Sequence, residues 1–460
     1  MLSVLKFLRF TFTPKLNGRL NPNPFTGFFR NLGKEGLKME KLGKGIFLFA
    51  IVILFAASPA LGKEIKIGIA GPMAFVQGQH HWYGAEFGAE EANAKGGILV
   101  GNKRLPVKLV KIDTNEILNV PDAASAIERA ITRDKVDFLM GGFRTEAVLA
   151  MQDVAMDYKK IFLGCGAAHP ELCSRVAKDY NKYKYWFRVT PINSLFLLKV
   201  DLLLVETVAN AIRKELGIAT PKVAIIAEKA VWADPIVGLG KTNLPKMGME
   251  VVGEWRPSAT ATDVTAELSA INAAGAQIIF TTISGPVGIP YAKKWGELKI
   301  PAASVGINVE AQKKGFWEAT GGMGNYDMTQ NTLARIEITP ATIPFYDKFT
   351  AKVGEFPTYN AGTNDAMQIL AAAIERAGTL DSDKVVAELE KNDTLGAPGR
   401  QVFTKEHDIT WGPGYVTATG TQWQDQKLMC VWPVDWQGLT YKGAVKYKIP
   451  PWVVEKWKKR

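Results

Sequence analysis

The chain is poor in the side chains that catalysis and metal binding most often use: 460 residues contain three cysteines and four histidines. A metal centre needs three or four converging ligands. The one suggestive pair, His80-His81, does not supply them, because adjacent side chains on a helix or strand point apart and no other His or Cys lies at ligand spacing. The sequence also has no G-x-S-x-G elbow, no phosphate-binding G-x-x-x-x-G-K-[S/T] and no H-E-x-x-H. After the first predicted strand the turn reads Gly71-Pro72-Met73-Ala74-Phe75-Val76, which fails the G-x-G-x-x-G of dinucleotide binding. These absences remove the common hydrolase, nucleotide and dehydrogenase signatures. No enzyme activity, metal or cofactor is expected.

An apolar run long enough to span a bilayer is missing too. Residues 46–57 are uncharged and apolar but fall short of the roughly 20 residues a transmembrane helix requires, and Pro59 breaks the chain just beyond them. Lys41 and Lys44 precede that run, and Ala60-Leu61-Gly62 closes it with small residues at alternate positions. Residues 39–62 therefore read as a signal peptide cleaved after Gly62, which implies a periplasmic or otherwise extracytoplasmic location, and no cysteine stands after the cleavage site to take a lipid. Residues 1–38 read as an upstream extension, with Met39 as an alternative start. Residues 1–62 hold nine Lys/Arg and two Glu, so they carry +7 of the formal +11 and leave +4 to the rest. The sequence pI of 9.3 is thus mostly a property of the leader, and a nucleic-acid partner is not expected. In an oxidising compartment Cys165 and Cys173 either pair around a short loop or remain thiols, while Cys430 reads as a buried free thiol.

What the sequence has in quantity is alternation. Short β-rich runs at 64–70, 107–113, 138–142 and 161–164 alternate with helical segments at 82–95, 121–133 and 145–158. After Thr190-Pro191 the pattern restarts with a helix at 194–216, strands at 222–227, 250–255, 277–282 and 302–306, and helices at 235–247, 264–274 and 288–298, with Asp234 as N-cap and Pro235 at the first helical position. Such βαβ repetition predicts an α/β fold of two doubly wound parallel-sheet lobes joined by a hinge of several crossings, with a ligand cleft between them. Residues 325–398 read as mostly helical. From Gln401 the period changes to two, with Gly412-Pro413-Gly414, Gly420 and Gly438 as turns and Trp411, Trp423, Trp432 and Trp436 among hairpin strands. The expected division is 63–191 with 325–398 as the N-terminal lobe, 192–324 with 399–430 as the C-terminal lobe, and 431–460 as an extension ending in a solvated basic tail.

Three stretches are familiar: Gly84-Ala85-Glu86 with Glu90-Glu91-Ala92-Asn93-Ala94-Lys95-Gly96-Gly97-Ile98; Leu139-Met140-Gly141-Gly142 followed by Ala167-Ala168-His169-Pro170; and Asn364-Asp365-Ala366 through Ala377-Gly378. In that order and spacing, over roughly residues 64–429, the chain resembles the leucine/isoleucine/valine-binding family of ABC-transporter periplasmic substrate-binding proteins, the type 1 periplasmic-binding fold. The resemblance implies capture of a small carboxylate-bearing ligand, branched-chain or other hydrophobic amino acids first, and delivery to the membrane permease subunits of an ABC importer. It places ligand contacts at Phe143, Arg144 and Thr145, at Gly166 and Ala167, at Gln77 within the segment 75–79, at Trp232, and at Ser284 and Asn308.

Three of these positions carry open alternatives. Thr145 is either a ligand contact or an N-cap. Arg144, where the family has a small residue, either grips a carboxylate in bidentate fashion or pairs with Glu146. Trp232, with Trp82, Tyr83 and Phe143, forms either an aromatic box or part of the core. No carboxylate stands squarely where the family holds an ammonium group; Asn308, Glu228 and Asp234 are substitutes, and an aromatic acid or an amide is an alternative ligand. A ligand-sensing component for signalling is the alternative role.

Overall fold

The computed structural model describes residues 63–458, so the leader extension and the expected signal peptide lie outside the described residues. Residues from Lys63 onward form one compact unit. Among the described residues no helix is long and apolar enough to cross a membrane.

The first sheet contains β1 (Ile65–Gly71), β2 (Val107–Asp113), β3 (Phe138–Gly141), β4 (Phe162–Gly164) and β5 (Trp186–Arg188), all parallel, in the order β2-β1-β3-β4-β5. β1 and β3 are buried almost throughout because helices cover both faces, which is why they read as continuous apolar runs. The second sheet contains β6 (Lys222–Ala227), β7 (Glu250–Trp255), β8 (Ile278–Ile283), β9 (Ala303–Asn308), β10 (Met328–Asn331), β11 (Thr419–Gln424) and β12 (Lys427–Trp432), in the order β12-β11-β10-β9-β8-β6-β7. Its parallel part repeats the strand order of the first sheet, and β11 and β12 add an antiparallel hairpin. In each sheet the order reverses between the first and third strands, the point where doubly wound sheets open a crevice for ligands.

Several expectations need correction. The helix expected from Trp82 starts at Val76; Phe75 stands at its N-cap without a capping side chain, so the sequence gives no start signal there. The segment 75–79 is therefore the N-cap and first turn of a helix and not a loop. Ala233, not Asp234, is the N-cap of the helix Asp234–Asn243. β10 lies in the second sheet, although residues 325–398 were expected in the first lobe. Gly420 is a strand residue at a bulge, and the hairpin turn is Asp425-Gln426, both with positive φ. Cys165, Cys173 and Cys430 are all buried free thiols.

The chain crosses between the sheets after β5, after β10, and again before β11. The second crossing returns the helices Thr342–Val353 and Thr363–Ala377 to the first lobe, where Thr363–Ala377 packs against the helix Val76–Ala94. Gly84 permits the contact, since a Cβ there would run into Ala361 O. His80 and His81 fasten the same junction: His80 Nδ1 lies 2.9 Å from Thr358 Oγ1, and Asn360 Nδ2 donates to His81 Nε2 at 2.9 Å. Burial pushes these imidazoles down to about 3 and about 4, so both are neutral structural residues near pH 7. At the first and third crossings Arg188 Nε lies 2.8 Å from Asp408 Oδ1, and Asn193 Nδ2 donates to Asp408 Oδ2 at 2.9 Å.

The C-terminal segment is built into the second lobe and is not a free extension. On the helix Pro451–Trp457, Trp452 meets Trp295 edge-on at 5.2 Å between ring centroids and donates from Nε1 to Ile300 O at 2.9 Å. Trp457 Nε1 donates to Pro301 O. Lys456 and Lys458 therefore flank an anchored tryptophan. Trp452→Ala is expected to lower unfolding free energy by about 2 kcal/mol, less than a fully buried Trp truncation because the ring is half-buried. A urea midpoint unchanged from wild type would mean that the helix only rests on the surface.

Candidate functional site

The loops at the carboxyl ends of both sheets face a common cavity. From the first sheet, Phe143 and Arg144 follow β3, and Gly166 and Ala168 follow β4; from the second, Glu228, Ala230 and Trp232 follow β6, Ser284 and Gly285 follow β8, and Ile307, Val309, Gln330 and Asn331 stand at the ends of β9 and β10. Ile117, Leu197 and Tyr359 complete a largely apolar wall. Residues of both lobes enclose the cavity, an arrangement that suits a small solute held between them.

In the first lobe the backbone is drawn tight. Gly166 passes so close to Gly142 O that a Cβ there would strike it. Arg144 is the N-cap of the 13-residue helix Thr145–Asp157, whose first-turn N–H groups have no partner within the helix. Its guanidinium is engaged by Glu146, with Nε 3.0 Å from Oε1 and Nη2 on the same oxygen, so the structure has the ion pair rather than a free cationic grip. Thr145 is the first helical residue and turns away from the cavity; its buried hydroxyl has no partner among the described residues.

In the second lobe a single carboxylate organises the wall. Glu228 accepts from Trp232 Nε1 at 2.9 Å, Ser284 N at 2.9 Å, Ser284 Oγ at 2.5 Å and Gly285 N at 2.7 Å. Trp232, in the turn Val231–Ala233, is thereby fixed with its ring on the cavity, 8% exposed. Gln77 then joins the lobes: from the first turn of its helix it donates Nε2 to Ser284 O at 3.0 Å.

Of the residues singled out in the sequence, the structure brings Phe143, Arg144, Gly166, Trp232 and Ser284 to the cavity and sets Gln77 against Ser284. Thr145, Ala167 and Asn308 lie off the wall. Asn308 is fully buried, off the cavity wall, and donates Nδ2 to Asp327 Oδ2 at 3.0 Å inside the second lobe. Trp82 and Tyr83 are also elsewhere: Trp82 lies under the Lys111 ammonium, and Tyr83 packs near Phe87 and Phe349. The aromatic group that faces the cavity is Phe143, Trp232 and Tyr359, the last supplied by the segment returning from the second crossing and carrying no sequence signal. Gln312 and Gln330 were likewise not foreseen.

The family model described as "Periplasmic binding protein" matches residues 64–422. An amino acid binding protein of Pseudomonas aeruginosa is 23% identical over 373 residues, covering 80% of this chain and 93% of its own length. A Leu/Ile/Val-binding protein homolog of Brucella melitensis is 22% identical over 404 residues, covering 85% and 96%. Among solved structures, a branched-chain amino acid transporter substrate-binding protein of Streptococcus pneumoniae in complex with isoleucine superposes with a TM-score of 0.65 at 20% identity, over 80% of this chain and 98% of that one. A solute-binding protein from R. palustris in complex with benzoate gives 0.64 at 17% identity, over 80% and 96%.

Glu116 lies directly behind the cavity wall. Its carboxylate receives Arg144 N at 2.7 Å, Phe143 N at 3.1 Å and Thr114 Oγ1 at 2.7 Å, yet burial pushes it up to about 7 from an ordinary 4.5, against the pull of those donors. A carboxyl raised on folding stabilises the fold below its unfolded pKa, and that contribution is lost as pH rises through the folded value. Relative to Glu116→Gln, the wild type should therefore lose on the order of 3 kcal/mol between pH 4 and pH 8. Parallel melting curves of the two proteins across that range would refute the displacement.

Proposed function

The chain belongs to the periplasmic binding protein family, and from that premise we propose that it is the extracytoplasmic solute-binding component of an ABC importer. The observation that supports this most directly is the cavity itself, walled by the carboxyl ends of two parallel sheets, with Gln77 of one lobe on Ser284 of the other. The lobes of this reading are residues 63–191 with the helices of 342–389, and residues 192–331 with 419–458. The proposed contacts are Phe143, Arg144, Gly166, Trp232 and Ser284, with Gln77 closing over them. A leader cleaved after Gly62 would deliver the mature chain across the membrane, and permease subunits would receive the solute from the closed form.

The ligand of this reading is a small molecule with an apolar body and a carboxylate, a hydrophobic amino acid first. Apolar walls favour the body, and first-turn N–H groups at the start of the Thr145–Asp157 helix favour an anion. A ligand touching both walls stabilises the closed arrangement by its contacts to each side, which is binding and not catalysis. The benzoate complex of a relative in fold keeps an aromatic acid as the second candidate.

The test uses the chain from Lys63 with leucine, isoleucine, valine, phenylalanine and benzoate. A ligand at about 100 times its Kd should stabilise the fold by about 2.7 kcal/mol, visible as a raised Tm, and should reduce the radius of gyration in solution scattering. A Tm and a scattering profile indifferent to all five would sink the proposed ligand class.

A further inference from the structure

The unpartnered buried side-chain atoms of the residues lining the cavity have one sign. Among the described residues that line it, the buried side-chain atoms without a hydrogen-bond partner are Glu146 Oε2, Gln312 Oε1 and Asn331 Oδ1, and all three are acceptors. The amide of Asn331 makes no other bond that fixes which end faces inward. Gln312 is different: its Nε2 donates to Gln330 O at 2.9 Å, so its orientation is set and the oxygen is the free end. The residue is 3% exposed, in the turn Val309–Gln312 just after β9. A buried acceptor with no donor is costly, and a site built around one rejects ligands that bring none.

The first lobe carries the opposite demand. No acceptor among the described residues pairs with the N–H groups of Gly166 and Ala168, which lie beside the first turn of the Thr145–Asp157 helix. The first wall thus offers free N–H groups beside the Glu146 carboxylate, and the second offers the free oxygen of Gln312. Arg144, already engaged by Glu146, does not reverse that polarity.

Resting on the solute-binding reading above, we propose that Gln312 is a specificity-determining residue, whose side-chain oxygen receives an N–H donor of the ligand, an ammonium or a primary amide, while the ligand's own oxygen faces the Gly166–Ala168 backbone. Acids with no nitrogen are the ligands this site disfavours.

Calorimetry on the chain from Lys63 tests this with two series that share an apolar body: leucine, 4-methylpentanamide and 4-methylpentanoate; phenylalanine, 3-phenylpropanamide and 3-phenylpropanoate. At least one nitrogen-bearing member should bind on the order of tenfold more tightly than the acid of its series. Leucine or phenylalanine ahead of its amide identifies the ammonium as the donor, and the reverse order identifies the amide. Q312M, which keeps the volume and removes the acceptor, should abolish the preference by weakening the nitrogen-bearing ligand and strengthening the acid; Q312E, which keeps an acceptor, should retain the preference for the ammonium. Equal binding of acid and nitrogen-bearing ligand by the wild type, or an equal loss for all three in Q312M with an unchanged ligand-free Tm, overturns the proposal. No binding of any of the six by the wild type removes the ligand class of the solute-binding reading itself, and the role of Gln312 with it.

Discussion

A carboxylate withdrawn from water has to be met by donors, and the way Glu228 is met sets the second half of the site. It stands just beyond β6, and its four donors come from the turn that carries Trp232 and from the loop beyond β8. β6 and β8 are neighbours in the sheet because the strand order reverses between them, so one side chain can span the crevice that the topology opens. The indole ring and the Ser284 carbonyl are thereby placed together, and the carbonyl is what Gln77 reaches from the other lobe. Removing the carboxylate would leave two backbone N–H groups, an indole and a hydroxyl without their acceptor at the cavity wall.

Much of the frame was legible because parallel strands covered on both faces are apolar runs, and the helices between them are amphipathic. The strands Lys222–Ala227 and Glu250–Trp255 and the helix Ser194–Leu216 fall where the period places them. The misses have local causes. β5 is three residues long, and β10 is Met-Thr-Gln-Asn, a polar run that is buried because its side chains and neighbours bond to one another, as Thr329 Oγ1 does with Asn308 O. Such a strand has no hydrophobic signature. The Asp425-Gln426 turn carries positive φ at both residues without glycine or asparagine, so turn chemistry pointed to Gly420 instead.

The site was legible to the segment and not to the side chain. Arg144 and Glu146 line the cavity and Thr145 between them does not; Gly166 and Ala168 do and Ala167 does not; Ile307 and Val309 do and Asn308 does not. Each miss is flanked by two residues on the wall. Resemblance and the strand-end rule locate a loop, but whether a given residue faces the cleft or the interior depends on the direction of its Cβ, and one step reverses that in an extended chain. Tyr359 and Gln312 belong to another category, since the former arrives by a crossing whose path the local pattern does not encode.

The same contacts bear on how firmly the cleft is shut without help. The hinge side is held by lasting bonds: the buried Arg188–Asp408 pair, and Ser194, whose hydroxyl lies 3.1 Å from Ala168 O and 3.0 Å from Trp232 O. Across the lip Gln77 donates to Ser284 O, a neutral hydrogen bond whose net value is about 1 kcal/mol, and Gly315 N donates to Glu355 Oε2 at 3.0 Å. Two such bonds fall short of the roughly 5.5 kcal/mol that moves a two-state equilibrium from one extreme to the other. The balance has to come from groups that touch both walls at once. In a cavity with apolar sides and unpartnered polar atoms on both walls, the solute-binding reading assigns those groups to the ligand. On the solute-binding reading, closure then reports binding, because few of the protein's own hydrogen bonds cross the lip.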